Sequence, residues 1–263
     1  MAALAVAACS LTSLEGFSGG DPADAGDADG VSSDAARADD ATVADSDAGP
    51  APPFCASLDA ANVSLCADFD TVALPAPFAR MIVETGGTVD LDVGDFRSSP
   101  RSLLFTVGRP SGDSAAAVAY TSSPIATAVS IDMDVRVDAP GSGDFDLVSV
   151  LRGDVQAGFQ INRTGSLEFD VEVPADGGGR TETETPTDGT LGTAWRHIRF
   201  QASATGGPSW NVVLFVDGVQ VGATTVPSAG FVGQPTIEIG DGRVFPMSTP
   251  WRVRLDNVVV RTQ

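Results

Sequence analysis

The chain has 263 residues but no lysine, one histidine, one tyrosine and three cysteines, and aromatic residues make up only 6% of it. Each shortage excludes something. Without lysine there is no Schiff-base, P-loop or Ser-x-x-Lys chemistry, and with His197 as the sole imidazole no multi-histidine metal centre can be assembled. Fifteen arginines against 35 acidic residues leave a formal charge of -20. Binding to nucleic acid needs clustered cations for phosphate neutralisation, so that partner is excluded. No apolar run approaches the roughly 20 residues of a membrane-spanning helix. What remains fits one large all-β domain or two small ones.

The first residues read as an address. Ala2 to Ala8 form a short apolar run that ends in Val6-Ala7-Ala8-Cys9. This resembles the lipobox of bacterial lipoproteins, which implies a signal peptide over residues 1–9 and lipidation of Cys9. The run sits at the short end of signal-peptide cores and no basic residue precedes it, so Met1 is read as an internal start. Ser10 in place of Asp after the cysteine implies, by the same resemblance, export to the outer membrane. The expected location is therefore extracytoplasmic, with membrane contact through the lipid anchor only.

Residues 10–53 read as a disordered tether. From Ser18 to Pro53 the chain is almost entirely Ala, Asp, Gly, Ser and Pro, with nine Asp against Arg37 and only Val31 and Val43 as larger aliphatics. Such a segment cannot bury enough apolar surface to offset its ordering entropy. Its charge of -8, nine acids less one arginine, should extend it by self-repulsion. If Cys9 carries lipid, Cys55 and Cys66 remain as an even pair and are expected to form a disulfide closing a short loop.

After Phe54 the pattern changes to short alternating runs separated by Gly, Pro, Asp and Asn. Ser130-Ile-Asp-Met-Asp-Val-Arg-Val137 places Ile131, Met133, Val135 and Val137 on one face and Ser130, Asp132, Asp134 and Arg136 on the other. Similar runs occur at 79–84, 102–107, 167–173 and 253–260. Helical periodicity is confined to Ala56–Leu65. The strongest local signal is the strand Trp210–Val216, the turn Asp217-Gly218 and the returning strand Val219–Val221, because Asp-Gly accepts the positive φ values of a type I′ turn. The expectation is a two-sheet antiparallel jelly-roll sandwich over residues 54–263, with Phe200, Phe215, Phe231, Phe245 and Trp251 in its core.

Trp195, His197 and Ile198, the strand end Leu214-Phe-Val-Asp-Gly218, and Asp256 and Val258 in the last strand together resemble the laminin-G-like and concanavalin A-like lectin/glucanase superfamily. Cys66-Ala-Asp-Phe-Asp70 and Ser98-Ser-Pro-Arg-Ser-Leu103 are similar to the opening strands of its secreted bacterial members. The resemblance implies the fold and leaves function open, because lectins, glycosidases, adhesion modules and spacers share it. It also implies a structural calcium where the first and last strands meet, with Asp68, Asp70 and Asp256 as ligands.

Glu168-Phe-Asp-Val-Glu172 resembles the Glu-x-Asp-x-Glu signature of family-sixteen glycoside hydrolases. On a strand these three carboxylates share a face, as nucleophile (Glu168), helper (Asp170) and acid/base (Glu172). The same letters are also those of an exposed acidic face, with Phe169, Val171 and Val173 in the core. His197 and Asp217 with a serine could be written as a triad, but no Gly-x-Ser-x-Gly elbow accompanies them. Trp210 and Tyr120 are the candidate stacking platforms for sugar, with Arg152 and Arg180 beside them. The leading expectation is a non-catalytic carbohydrate- or surface-polymer-binding module. A structural or adhesive lipoprotein comes next, and a glycosidase using Glu168, Asp170 and Glu172 after that.

Overall fold

The computed structural model describes residues 53–263 except 60, 62, 72, 109–113, 124–125 and 243–247. Cys9, the tether and Phe245 lie outside the described residues. A 3-10 turn, Phe54–Ser57, precedes the strands β1 (Val63–Ala67), β2 (Arg80–Val83), β3 (Thr88–Asp92), β4 (Ser102–Val107) and β5 (Ala116–Thr121). Then come β6 (Ala128–Ala139), β7 (Phe145–Arg152), β8 (Val155–Ile161), β9 (Ser166–Pro174) and β10 (Arg180–Thr190). The chain closes with β11 (Arg196–Ala204), β12 (Ser209–Val216), β13 (Val219–Pro227), β14 (Thr236–Asp241) and β15 (Trp251–Thr262). No α-helix occurs among the described residues, and none is long and apolar enough to cross a membrane.

These strands form a two-sheet antiparallel sandwich. One sheet has eight strands in the order β13-β12-β11-β6-β15-β4-β3, with β1 also on β15, and the other has seven in the order β10-β9-β8-β7-β14-β5-β2. Period-two alternation sends one set of side chains from each sheet into the space between them. Ile131, Met133, Val135, Ile198, Phe200, Leu255 and Val260 enter from the first, and Phe145, Val148, Phe159, Phe169 and Ile239 from the second. Phe159 and Phe200 meet across the interior with ring centroids 5.7 Å apart, and Phe145 packs on Trp251 at 5.8 Å. Fully burying each such ring stabilises the fold by about 1.5–3 kcal/mol.

The hairpin is where the sequence puts it. Asp217 (φ 50°) and Gly218 (φ 80°) supply the two positive φ values of the turn between β12 and β13. The Asp217 carboxylate also accepts the His197 N–H (2.9 Å) and an Arg196 N–H (2.6 Å), which ties the turn to β11. Cys55 and Cys66 are disulfide-bonded, joining the 3-10 turn to β1.

Two expectations are corrected. Ala56–Leu65 is not helical: the 3-10 turn ends at Ser57, and Val63–Leu65 belong to β1, whose Leu65 is registered opposite Val260. Pairing with the last strand there outweighs a local helical pattern. Phe215 is not core, because alternation along β12 buries Trp210, Val212, Leu214 and Val216 and turns Phe215 to the outer face, where it is half-buried. Phe200→Ala should therefore lower the unfolding free energy in urea by about 3–5 kcal/mol, with Phe215→Ala costing less than half as much.

Candidate functional site: the outer face of the seven-stranded sheet

An outer sheet face normally meets water. Here Gln156, Gln160 and Asp170 are themselves buried, Glu168 and Glu172 are half-buried, and Glu182 and Glu184 on the edge strand are exposed. Gln156 and Gln160 alternate outward on β8, Glu168, Asp170 and Glu172 on β9, and Glu182 and Glu184 on β10. Register lines up Glu238, Ser149, Gly158, Asp170 and Glu184 in one row across five strands. Gly158 is required in that row, since a Cβ there would lie 2.0 Å from the Val148 carbonyl oxygen. Gln160 is 3% and Asp170 1% exposed.

Buried polar groups demand partners, and these have them. The Gln156 side-chain amide donates to Ser149 Oγ (3.3 Å) and Asp170 Oδ2 (3.2 Å), and that of Gln160 donates to Glu184 Oε1 (3.1 Å). Asn162 Nδ2 donates to Glu168 Oε1 (2.8 Å), and Arg180 Nη1 to Glu172 Oε2 (2.7 Å). Next to this lattice opens a groove of about 280 Å³ between Asp144, Asp146, Gln160, Glu182, Glu184 and Asp241. It adjoins a second hollow of about 420 Å³ bounded by Asp144, Asn162, Thr164 and Glu168. Asp144, common to both, has its carboxyl raised above the usual range by burial and by the negative charges of Glu184 and Glu168.

The Glu168, Asp170 and Glu172 carboxylates thus share one face, as their spacing requires. Each is held by a different neighbour, Asn162, Gln156 and Arg180 respectively. The proposed stacking platforms do not join them. Trp210 is 6% exposed, on the interior side of β12, edge-on to Phe231 at 5.1 Å and covered by the Arg152 guanidinium at 4.9 Å. No ring face is left for a sugar. Arg152 itself is tied to the Gly233 (2.8 Å) and Ala126 (3.0 Å) carbonyls, and Tyr120 faces inward with its hydroxyl on the Ser64 carbonyl (3.2 Å). Of the four expected binding residues, only Arg180 stands on the grooved face.

Two of the three expected calcium ligands, Asp256 and Asp68, are engaged by the chain itself, while Asp70 keeps a buried Oδ1 with no hydrogen-bond partner among the described residues. Asp256 accepts N–H bonds from Arg97, Ser98 and Asn257 (2.8 Å each) and a hydroxyl bond from Ser98 (3.1 Å). Asp68 accepts the N–H groups of Cys55 (3.1 Å) and Asp70 (3.3 Å). Calcium takes six to eight oxygens. Among the described residues no group of three or more His, Cys, Asp or Glu is placed to hold a metal.

The His197 ring does not face Asp217. It lies on the outer face of the eight-stranded sheet, with Nδ1 3.3 Å from Asp134 and Nε2 3.5 Å from Asp132. Asp132 and Asp134, which alternation puts on the face opposite Ile131 and Met133, are buried and paired there. Sequence reasoning missed the two glutamines of the groove. The period-two spacing of Gln156, Gly158 and Gln160 along β8 was the available signal.

No protein-family model matches the chain, and no curated protein matches it. Solved structures do. The chain is similar to the endo-β-1,4-glucuronan lyase of the fungus Trichoderma reesei, with a TM-score of 0.58 and 14% identity over 76% of this chain and 96% of that one. It is also similar to the cellulose induced protein Cip1, with a TM-score of 0.51 and 14% identity over 76% and 97%. At that identity the likeness shows the fold alone, a two-sheet β-sandwich.

The His197 contacts have a pH consequence. Hydrogen bonds to Asp132 and then Asp134 raise its pKa from 6.5 to about 9 against the opposing effect of burial. A pKa raised in the folded state stabilises fully below the unfolded value and is lost as pH rises through the folded one. Urea unfolding from pH 6 to 10 should show a loss of stability between about 6.5 and 9. His197→Gln should remove that component.

Proposed function

We propose that this chain is a cell-surface lipoprotein, lipidated at Cys9, whose sandwich is a non-catalytic carbohydrate-binding module. The glycan lies along the groove on the outer face of the seven-stranded sheet. The observation that carries this reading is the hydrogen-bonded set of amides and carboxylates on that face, with buried Gln160 bonded to exposed Glu184 at the groove wall. Planar amide and carboxylate groups fixed by one another offer paired acceptors and donors to neighbouring sugar hydroxyls. An acidic lining suits a neutral or amino-bearing sugar over a uronate.

Binding is favoured over bond cleavage by what the groove lacks. The chain's one histidine is on the other sheet, its one tyrosine faces the core, and it has no lysine. Acid–base work at the groove would fall to carboxylates alone, and Glu168 and Glu172 are each engaged by a separate partner. The likeness to a glucuronan lyase and to Cip1 supports a carbohydrate setting.

The test is a binding screen of the full chain against neutral and amino-sugar polysaccharides, run with and without chelator, beside an assay for released reducing ends. Saturable binding that survives chelation and weakens about tenfold, or about 1.4 kcal/mol, in Glu184→Gln is expected, with no release. Release of reducing ends that disappears in Glu168→Gln would replace this reading with a glycosidase. Failure to bind any member of the panel would leave a structural surface protein.

A further inference from the structure

The opposite side of the sandwich holds a second pocket, of about 410 Å³, on the outer face of the eight-stranded sheet between β6, β11 and the end of β15. Its position follows from register. Arg199 on β11 stands directly across from Asp132 on β6, while Arg261 on β15 and Gln201 on β11 both flank Ser130. Alternation turns all five side chains outward.

The pocket is organised around one carboxylate. Asp132, 5% exposed, accepts Arg199 Nε on one oxygen and Arg261 Nη1 (2.8 Å) on the other, with His197 Nε2 at 3.5 Å. Burial pushes its carboxyl up, but the hydrogen bonds from His197 and Arg199 outweigh this and hold it below the usual range. Asp132 therefore serves as a fixed anion that orients the cations above it. Three positive groups (Arg199, Arg261 and His197, charged at neutral pH) meet two negative ones (Asp132 and Asp134), leaving +1 at this spot in a chain of formal charge -20.

The donors exceed the acceptors. A guanidinium carries five N–H groups, and among the described residues Arg199 and Arg261 each bond with the side chain of Asp132 alone. Both are partly exposed and line the cavity. Two oriented guanidinium forks beside a pocket of small-molecule size match the geometry of a carboxylate or sulfate. Ser130, Gln201 and Ser203 complete the wall with groups that suit sugar hydroxyls.

We propose that this pocket binds the anionic group of an acidic sugar unit between Arg199 and Arg261. It is a site separate from the groove, and it takes the opposite charge class of glycan. The two readings can fail independently, because they rest on different sheets and respond to different substitutions.

The experiment is calorimetric titration of the full chain, in about 0.15 M salt so that distant charges are screened beyond roughly 8 Å. The probes are oligogalacturonate, a sulfated dextran oligomer, sodium sulfate and uncharged dextran. Expected is saturable binding of at least one acidic oligosaccharide, weakened tenfold or more by Arg199→Gln and unaffected by Glu184→Gln. Gln201→Glu, which leaves the ion pairs of Asp132 in place, should abolish it without changing the melting temperature. Acidic oligosaccharide binding that survives both Arg199→Gln and Gln201→Glu would overturn the proposal, as would no binding of either acidic probe. Sodium sulfate binding as tightly as the oligosaccharides would overturn the sugar assignment and leave a simple anion site.

Discussion

The eight-stranded sheet depends on its last strand. β15 lies between β4 and β6 and also receives β1, so Trp251–Thr262 holds together segments from the beginning and middle of the described chain. Without it β4 and β6 have no shared neighbour. Against β6 it carries two register irregularities, one at Arg252/Val253 and one between Asp256 and Val259, where Asn257 adopts φ 53°. The buried Asp256 carboxylate fixes this kink by accepting the Arg97 and Ser98 N–H groups at 2.8 Å, while Asn257 Nδ2 donates to Asp134 at 2.8 Å. Burial raises Asp256 to about 6 even against those bonds. Placing β15 closes long loops late in the chain, a topology that folds slowly compared with local helical contacts.

From that kink the polar chemistry of the outer face spreads outward. Asn257 touches Asp134, Asp134 touches His197, and His197 and Asp134 flank the Asp132 that gathers Arg199 and Arg261. On the other side of β15, Arg254 bonds Asp92 and Asp138 at 2.7 Å each. Buried charges are tolerated only when paired, and this face pairs its charges in two groups, one around Asp132 and Asp134 and one around Arg254. The seven-stranded sheet solves the same problem differently. There amides of Gln156, Gln160 and Asn162 join Arg180 and Arg80 as partners for the carboxylates. One face therefore presents oriented guanidinium groups and the other oriented carboxylates and amides, which is why the two are assigned different glycan classes.

Much of the fold was legible because it is written in period two. Ile131, Met133, Val135 and Val137 pointed inward as read, and Asp217-Gly218 made its turn. The misreadings share a cause. An aromatic ring can stack on a sugar face wherever it is open, but strand parity puts Trp210 and Tyr120 on the interior side, where Trp210 meets Phe231 and Arg152. Alternation puts Asp132 on the outer face, but a sequence does not show what lies across from it. Its partners come from β11 and β15, 67 and 129 positions away along the chain. The groove was hidden for the same reason: Gln160 and Glu184 are unremarkable singly and become a wall only through the pairing of β8, β9 and β10.

The central claim is that a neutral or amino-bearing glycan lies along the outer face of the seven-stranded sheet. Amide chemical-shift mapping of the isotopically labelled full chain, titrated to saturation with an oligosaccharide found to bind, tests it most directly. The account predicts perturbations concentrated in β8, β9 and β10 around Gln160, Asp170 and Glu184, with the side-chain amide of Gln160 among those that move. Perturbations confined to the eight-stranded sheet, or to the loops around Trp210 and Arg152, would contradict it.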